Sequence, residues 1–501
     1  MQSEEAYDVI VVGGGPGGAT AATFVAMDGH RVLLLEREKF PRYQIGESLL
    51  PTTVHGICKM LGLSEAMETA GFMRKRGGTF RWGLDPEPWT FAFGATSSLH
   101  GADYAYQVER SKFDALLLDN ARKKGVEVRE QCKVSAPIME GDRIVGIQYQ
   151  DDTGSTHAVR SRYVIDASGN QSRLNAAVGE RSYSKFFQNV ALFGYFENGK
   201  RLPEPNNGNI LCAAFDLGWF WYIPLSPTLT SVGAVIGREH AEKLKGGHEE
   251  ALLGFVDSCP LIKEYLAGAS RVREGVYGEV RVRKDYSYCH DRFWKPGMAL
   301  VGDAACFIDP VFSSGVHLAT YSALLVARSV NSCLRGTIDE PRAFDEFENR
   351  YRREYGLFYD FLVGFYDMKQ SSDSYYWTAR KILNTEERSN EAFVRLVAGA
   401  GTAATDFFRD RQNVGQTFEK MVGIMGSGQP LSADDAATVG NMMTNKARML
   451  ESRNLVLQAN SDLPLEKPMF DGGLIPSPDG FRWVDPRGDQ RRPEVEQAKS
   501  L

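Results

Sequence analysis

The sequence lacks several features that mark other classes of protein. Its 501 residues include 58 Lys and Arg against 64 Asp and Glu, so the basic excess of a nucleic-acid-binding protein is missing. The seven cysteines form no C-x-x-C pair, and the eight histidines include no H-E-x-x-H motif. These absences argue against zinc ribbons, redox dithiols and zinc proteases, and we expect no bound metal. Scattered cysteines in odd number favour reduced thiols in a cytoplasmic protein.

Long apolar runs are also missing. None approaches the roughly 18 residues of a membrane-spanning helix, so we expect no membrane partner. The acidic start, Met1–Glu5, does not have the basic and apolar regions of a signal peptide. Glycine is the one excess, with 50 residues, against a usual share of roughly 7%.

The first forty residues contain the pattern of a dinucleotide-binding unit. Tyr7–Val12 is predicted to be a buried parallel strand, and the next residues fit G-x-G-x-x-G through Gly13, Gly15 and Gly18. A helix of small residues and a second apolar strand follow, and that strand ends at Glu36. These glycines permit a tight turn and a close approach to a pyrophosphate, while the acid can accept ribose hydroxyls. A second match, Gly399–Ala404, is interpreted as a helix break or loop, because the segment before it is predicted to be helical and no second apolar strand follows it.

Three later segments indicate which dinucleotide binds. A predicted helix begins at Arg110, and two apolar strands end in the acid-containing turns Asp166–Gly169 and Gly302–Ala304. Together with the glycine fingerprint, these segments resemble the FAD-dependent aromatic hydroxylase superfamily over about residues 6–370.

That resemblance implies FAD as the cofactor. The glycines and Glu36 would hold its ADP half, Asp303 would contact the ribitol or pyrophosphate, and Arg110 and Ser48 would support the flavin.

The segment Gly218–Pro224 reads GWFWYIP. Two tryptophans at i and i+2 lie on one face of a strand, and taken alone they are most simply an aromatic core pair. The whole segment, however, resembles the G-W-x-W-x-I-P motif of flavin-dependent halogenases. In that family Trp219 and Trp221 would form a wall that keeps the organic substrate away from the flavin.

Three cations, Arg74, Lys75 and Arg76, precede a run of aromatic, strand-like sequence. Such a cluster is usually a solvated turn, but Lys75 could point inward, where a buried amine can lose its proton. The segment resembles the halogenase pattern that contains the catalytic lysine, which would be Lys75. The guanidinium groups stay protonated and cannot take this role.

The segment Asp309–His317 resembles the halogenase pattern D-P-x-F-S-x-G-V. Taken alone, it is most simply a helix N-cap. The resemblance implies a chloride site at the backbone of Ser314 and Gly315. Tryptophan halogenases carry a glutamate three residues before this glycine, where the present chain has Phe312, so we do not expect free tryptophan as the substrate.

The pattern is closer to halogenases that act on groups held by carrier proteins, and Arg37–Pro51 supports that branch. The implied reaction is chlorination of a tyrosyl or β-tyrosyl phenol, bound as a thioester to a peptidyl carrier protein, in natural-product biosynthesis. Reduced FAD from a separate flavin reductase would react with O2, and the flavin hydroperoxide would oxidise chloride to hypochlorous acid for Lys75. The alternative is an FAD-dependent aromatic hydroxylase or epoxidase.

The expected fold is α/β (α+β), with a Rossmann-like FAD-binding domain of the aromatic hydroxylase type and an interleaved β-sheet substrate domain. The FAD-binding parts are predicted at about 6–80, 104–185 and 280–370, and the substrate sheet at about 80–103 and 186–280. A helical C-terminal region is predicted at 371–485, and a disordered tail at 486–501.

Overall fold

The computed structural model describes residues 6–82, 87–93, 102–366, 459 and 468–487. The helices are α1 (Pro16–Met27), α2 (Ser64–Thr69), α3 (Arg110–Lys123), α4 (His248–Asp257), α5 (Pro260–Tyr265), α6 (Gly315–Leu334) and α7 (Glu340–Tyr366), with a π-helical turn at Thr52–Cys58. Among these helices, none has the length and apolar character needed to cross a bilayer.

The strands are β1 (Ala6–Val12), β2 (Val32–Leu35), β3 (Met73–Lys75), β4 (Gly77–Arg81), β5 (Trp89–Ala92), β6 (Ala105–Gln107), β7 (Glu127–Arg129), β8 (Lys133–Glu140), β9 (Arg143–Gln150), β10 (Thr156–Asp166), β11 (Arg181–Glu197), β12 (Ile210–Phe215), β13 (Gly218–Pro224), β14 (Leu229–Gly237), β15 (Ser270–Arg271), β16 (Arg281–His290), β17 (Trp294–Lys295), β18 (Met298–Leu300), β19 (Cys306–Phe307), β20 (Ile475–Pro476) and β21 (Trp483–Val484).

The first sheet has the order β17-β18-β10-β1-β2-β7, and β8 and β9 extend it beside β10. Strands β18, β10, β1, β2 and β7 run parallel to one another. The residues of β1 from Val9 to Val12 are all buried, α1 packs against β1 and β2, and Phe344 of α7 stacks on Tyr163 of β10, so helices cover the sheet as parallel sheets require. The carboxyl ends of these strands therefore meet at one edge, where ligands bind in such folds.

The second sheet has the order β19-β16-β11-β14-β13-β12-β4-β5, with β15 beside β11. Its neighbours are antiparallel except β12 and β4. Along β13 the side chains alternate between two cores: Trp219 and Trp221 face the main core, while Phe220 and Tyr222 face a smaller core under α4 and α5. The predicted common face of the two tryptophans is confirmed.

The α/β fold with its Rossmann-like unit is confirmed. The sheet membership of three strands differs from the predicted ranges. Strands β4, β16 and β19 lie largely in the ranges that the sequence assigned to FAD binding, yet all three are hydrogen-bonded into the second sheet. Strand β16 joins it because it pairs over most of its length with β11.

In its described part, the C-terminal region also differs from the sequence prediction. Residues 468–487 contain the hairpin β20–β21, although the sequence predicted helix up to 485. The hairpin is anchored on α6, where the Trp483 indole Nε1 donates to Ser329 Oγ at 2.9 Å and its backbone N–H donates to Ser332 Oγ at 2.8 Å. The Gly399–Ala404 match, most of 371–460 and residues 488–501 lie outside the described residues.

We predict that Trp483→Ala will destabilise the protein strongly. The indole is 1% exposed, and removing a fully packed Trp usually costs about 3–5 kcal/mol. Val484 on the same strand is 39% exposed, so Val484→Ala should change the free energy of unfolding by less than about 0.5 kcal/mol. Urea unfolding of the two variants measures the difference. Equally small decreases in the free energy of unfolding for both variants would show that the hairpin does not stabilise the rest of the protein.

Candidate active site

A cleft of about 410 Å³ lies between the carboxyl edge of the first sheet and the inner face of the second sheet. It is lined by residues from several places in the chain, among them the β1–α1 turn, the end of β2, residues 42–48, the turns after β10 and β18, the start of α6, and β13. The sequence-predicted residues that line it are Gly13, Gly15, Glu36, Ser48, Arg110, Trp219, Trp221, Asp303 and Gly315.

The glycine turn between β1 and α1 has the geometry that the motif predicts. Gly13 has a φ of +101°, and a Cβ there would lie 2.5 Å from the Ala167 carbonyl oxygen. Gly18 does not line the cleft; a Cβ there would collide with the Gly13 carbonyl oxygen. At Gly15 the nearest atom to a Cβ is the Arg42 guanidinium at 3.4 Å, so the space in front of it is open.

Glu36 is held rigidly at the end of β2. Its carboxylate accepts the Gly14 backbone N–H at 2.5 Å and the Glu38 backbone N–H at 2.8 Å. The side chain is 5% exposed and borders the cleft beside Gly15. A carboxylate fixed in this way is suited to accept hydrogen bonds from vicinal hydroxyls of a ribose.

Arg110 and Asp303 both line the cleft and interact electrostatically. The Arg110 guanidinium is ion-paired with Asp114, with Nε 2.7 Å from Oδ1, and donates to the Ile45 carbonyl oxygen at 2.6 Å. Burial raises the pKa of Asp303 to about 6, although Arg110 and Arg181 lower it. Hydrogen-bond donors of a bound ligand would therefore stabilise the charged form of the Asp303 carboxyl group.

The wall of the cleft is formed by two buried indoles whose N–H groups are both satisfied. Trp219 Nε1 donates to the Tyr366 hydroxyl at 2.5 Å, and Trp221 Nε1 donates to Ser231 Oγ at 3.1 Å. The Tyr366 hydroxyl donates in turn to Asp309 Oδ2 at 2.9 Å. The sequence did not predict this network, because its members lie far apart in the chain.

Lys75 points inward from β3, as predicted, and is 3% exposed. Its Nζ donates to Ser48 Oγ at 2.8 Å and to the Leu49 carbonyl oxygen at 3.1 Å, and it lies 5.4 Å from the centre of the Phe93 ring. Burial lowers the pKa of Lys75 to about 7. Within the described residues Lys75 does not line the cleft; Ser48, which does, stands between it and the cleft.

The predicted halide loop precedes α6. Ser313 adopts a left-handed conformation with a φ of +58°, and Gly315 is the first residue of the helix. Ser314 is fully buried, and within the described residues its Oγ has no hydrogen-bond partner. Free backbone N–H groups and the positive end of the helix dipole make this position suitable for an anion.

Phe312 stands where tryptophan halogenases carry a glutamate, and its ring belongs to an aromatic cluster. Its ring lies 5.9 Å from Phe80 and 4.7 Å from Phe365, and Phe91 extends the cluster towards Phe93 and Lys75. The surroundings of Lys75 in the described residues are thus aromatic, with no carboxylate ion-paired to it.

The cleft fits FAD. The fixed Glu36 carboxylate, the open space before Gly15 and the N-terminus of α1 suit an ADP moiety, and Arg110 and Asp303 follow further along the cleft. Among the described residues, no cluster of three His, Cys, Asp or Glu side chains could hold a metal ion. Fold and site together define an FAD-dependent enzyme.

The comparisons with known proteins identify the family. The profile of the tryptophan halogenase family matches residues 8–101 and 95–422. A tryptophan 2-halogenase of Chondromyces crocatus is 36% identical over 391 residues, which are 77% of this chain and 73% of that protein. The chain therefore belongs to the tryptophan halogenase family and is a flavin-dependent halogenase that uses FAD, O2 and chloride.

Solved structures agree. The structure of CndH, the myxobacterial chondrochloren halogenase described as a new variant of FAD-dependent halogenases, is 57% identical, with a TM-score of 0.77 over 96% of this chain and 100% of that chain. The flavin-dependent halogenase CmlS is 29% identical, with a TM-score of 0.73 over 99% of this chain and 88% of that chain. The family depends on a flavin reductase.

We predict that Gly15→Ala will weaken FAD binding without destabilising the fold. The added methyl group enters the cleft and meets only the Arg42 side chain. FAD titration should therefore show at least about tenfold weaker binding, with an unchanged melting temperature of the protein without FAD. Gly18→Ala is the matched variant, because its methyl group collides with the backbone and should lower the melting temperature. Wild-type FAD affinity in Gly15→Ala would show that this turn does not contact the cofactor.

Proposed function

We propose that this halogenase chlorinates a tyrosyl-type phenol bound as a thioester to a peptidyl carrier protein, with Lys75 as its catalytic amine. The observation that carries the proposal is a buried amine that has no carboxylate partner among the described residues and lies next to an aromatic cluster. The uncharged phenol ring suits such surroundings, and the thioester linkage removes the carboxylate that a free amino acid would have to desolvate there.

Gly13, Gly15, Glu36, Arg110 and Asp303 would hold FAD in the cleft. When bound and reduced, it supplies with O2 the two-electron oxidation of a halide to a hypohalous acid. The start of α6 would hold the halide, where Ser314 Oγ and the N–H group of Gly315 are available.

The indoles of Trp219 and Trp221 limit what can pass from the cleft towards Lys75. Both are buried, with ring centres 6.3 Å apart, and they would screen the cleft from a phenol on the Lys75 side. A hypohalous acid is small enough to move along the protein interior past Ser48.

Lys75 would receive the oxidant. Because its pKa is about 7, the neutral amine and the ammonium ion are both populated near neutral pH. The ammonium ion can donate a hydrogen bond to hypochlorous acid, and the neutral amine can take the chlorine to form a chloramine and water. Either species places an electrophilic chlorine beside the phenol, for substitution ortho to the hydroxyl.

We expect Lys75→Met to lose at least about 100-fold in ring halogenation, the lower end of the effect of a catalytic proton donor. Binding of FAD should not change, because Lys75 does not line the cleft. Lys124→Met, which removes an exposed lysine at the end of α3, is the control. Halogenated product is measured by mass spectrometry. Retention of wild-type halogenation in Lys75→Met would contradict the assigned role.

The surface above Lys75 supports a carrier protein as the partner. Arg74, next to Lys75 on β3, points outward, and its guanidinium lies over the Tyr104 ring at 4.3 Å. The Arg76 side chain is 39% exposed. Carrier proteins are usually acidic, so these two cations would steer the carrier to the place where its tethered ring can reach Lys75.

Charge reversal tests this partner. Arg74→Glu combined with Arg76→Glu should raise KM for tyrosyl carrier protein by at least about tenfold, because like charges now repel. Halogenation of the same tyrosyl thioester on a small thiol should not change. Lys123→Glu on α3 is the matched control. Free tyrosine is the third substrate whose halogenation is compared. Equal rates on free and carrier-bound tyrosine would overturn the tethered substrate.

A further inference from the structure

Three side chains form a hydrogen-bonded chain that starts at the cleft. Glu47 lines the cleft and is 2% exposed, and its Oε1 accepts the Tyr195 hydroxyl at 2.8 Å. The Tyr195 hydroxyl lies 2.7 Å from the Tyr43 hydroxyl. A phenol has one proton to donate, so Tyr43 must donate to Tyr195 when Tyr195 donates to Glu47. The hydrogen bonds therefore all point from Tyr43 towards Glu47.

The chain connects the interior with a more accessible part of the protein. Tyr195 lies in β11 opposite Ser231 in β14 and is fully buried. Tyr43 is only partly buried, although its neighbours Arg42 and Gln44 line the cleft.

The charges around Glu47 suit proton exchange near neutral pH. Burial raises the pKa of Glu47 to about 7, while Ser231, Tyr195 and Arg110 lower it and Glu109 raises it. Burial likewise raises the pKa of the Tyr195 and Tyr43 hydroxyls. The two tyrosines therefore stay neutral and can pass a proton only by accepting one as they give one up.

Halogenation needs such a supply of protons. The overall reaction converts an aromatic C–H, a halide ion, O2, FADH2 and one proton into an aromatic C–X, FAD and two water molecules. One proton is thus consumed in each turnover, and the polar wall of the cleft must deliver it while the bound cofactor fills the cleft.

We propose that Glu47 donates this proton into the cleft and that Tyr195 and Tyr43 return a proton to it from solvent. The Glu47 carboxyl gives its proton to an O2-derived oxygen that leaves the cleft as water, and becomes a carboxylate. Tyr195 then gives its proton to Glu47 while it takes one from Tyr43, and Tyr43 takes one from a hydronium ion of the solvent. The tyrosines end neutral, and one proton has moved from solvent to the cleft. The proposal rests on the halogenation chemistry above.

A neighbouring tyrosine provides a matched control. The Tyr277 ring packs against Tyr195, with ring centres 4.3 Å apart, but its hydroxyl donates to Glu109 at 2.8 Å and is outside the chain. Tyr277→Phe therefore removes a hydroxyl from the same aromatic cluster without breaking the proposed relay.

The first test uses the full-length protein with oxidised FAD and measures the relay without turnover. Infrared difference spectra should show a protonated carboxyl that titrates near pH 7 and is absent in Glu47→Gln. After a pH jump, its protonation should be at least about tenfold slower in Tyr43→Phe and Tyr195→Phe than in wild type, and unchanged in Tyr277→Phe. If Tyr195→Phe does not fold, the partly exposed Tyr43→Phe decides alone.

The second measurement is the halogenation rate of the same proteins. We expect kcat to fall in Tyr43→Phe and Tyr195→Phe with little change in the KM for halide, and wild-type values in Tyr277→Phe. Unchanged proton exchange in both relay variants would overturn the relay while leaving the halogenase intact. Failure of the wild-type protein to halogenate any phenol would instead refute the proposed function, and the infrared result would still report on the relay.

Discussion

The buried amine of Lys75 is the constraint on which the site depends. An ammonium ion is costly to bury without a charged partner, and the partners of Lys75 within the described part of the chain are the Ser48 hydroxyl, the Leu49 carbonyl oxygen and an aromatic ring. The amine therefore has a low pKa, which makes its neutral form accessible. The segment that accepts the hydrogen bonds of Lys75 also contributes Ser48 and Glu47 to the lining of the cleft. One short stretch of chain thus borders both the proposed site of oxidant formation and the proposed site of its use.

Trp219, one of the two tryptophans of the proposed wall, is linked by hydrogen bonds to the predicted halide loop. The Trp219 indole donates a hydrogen bond to the Tyr366 hydroxyl, which donates to the Asp309 carboxylate. This carboxylate also accepts a hydrogen bond from Asn189 Nδ2 at 2.9 Å. The Asp309 carboxylate receives the Val311 backbone N–H and so fixes the start of the loop that ends in α6. Tyr366 is the last residue of α7, so the same helix that covers the main core aligns the wall with the loop.

The sequence predicted the features that depend on local spacing. The glycine turn requires Gly13 at a positive φ, β13 requires its two tryptophans on one face, and β3 requires Lys75 to point opposite to Arg74. Each of these follows from periodicity over a few residues, and the family resemblance supplied the role proposed for each.

Features that arise from long-range contacts were not predicted. Strand β16 belongs to the second sheet because Val282 pairs with Leu192 of β11, a contact that no local pattern encodes. Glu47 gains its raised pKa from burial beside Tyr195, which lies 148 residues away. The β20–β21 hairpin depends in the same way on its docking against α6. Such contacts are decided by packing in three dimensions, and a single sequence contains little signal for them.

The central claim is that oxidant forms on one side of the tryptophan wall and is used on the other. The most direct measurement is the yield of hypohalous acid, captured by a small-molecule trap in solution, from Lys75→Met supplied with FAD, reductase, NADH, O2 and chloride. The account predicts oxidant release at close to the wild-type rate of chloride oxidation, with almost no halogenated ring. Loss of oxidant release together with ring halogenation would contradict it, because Lys75 would then act on the same side of the wall as the cofactor.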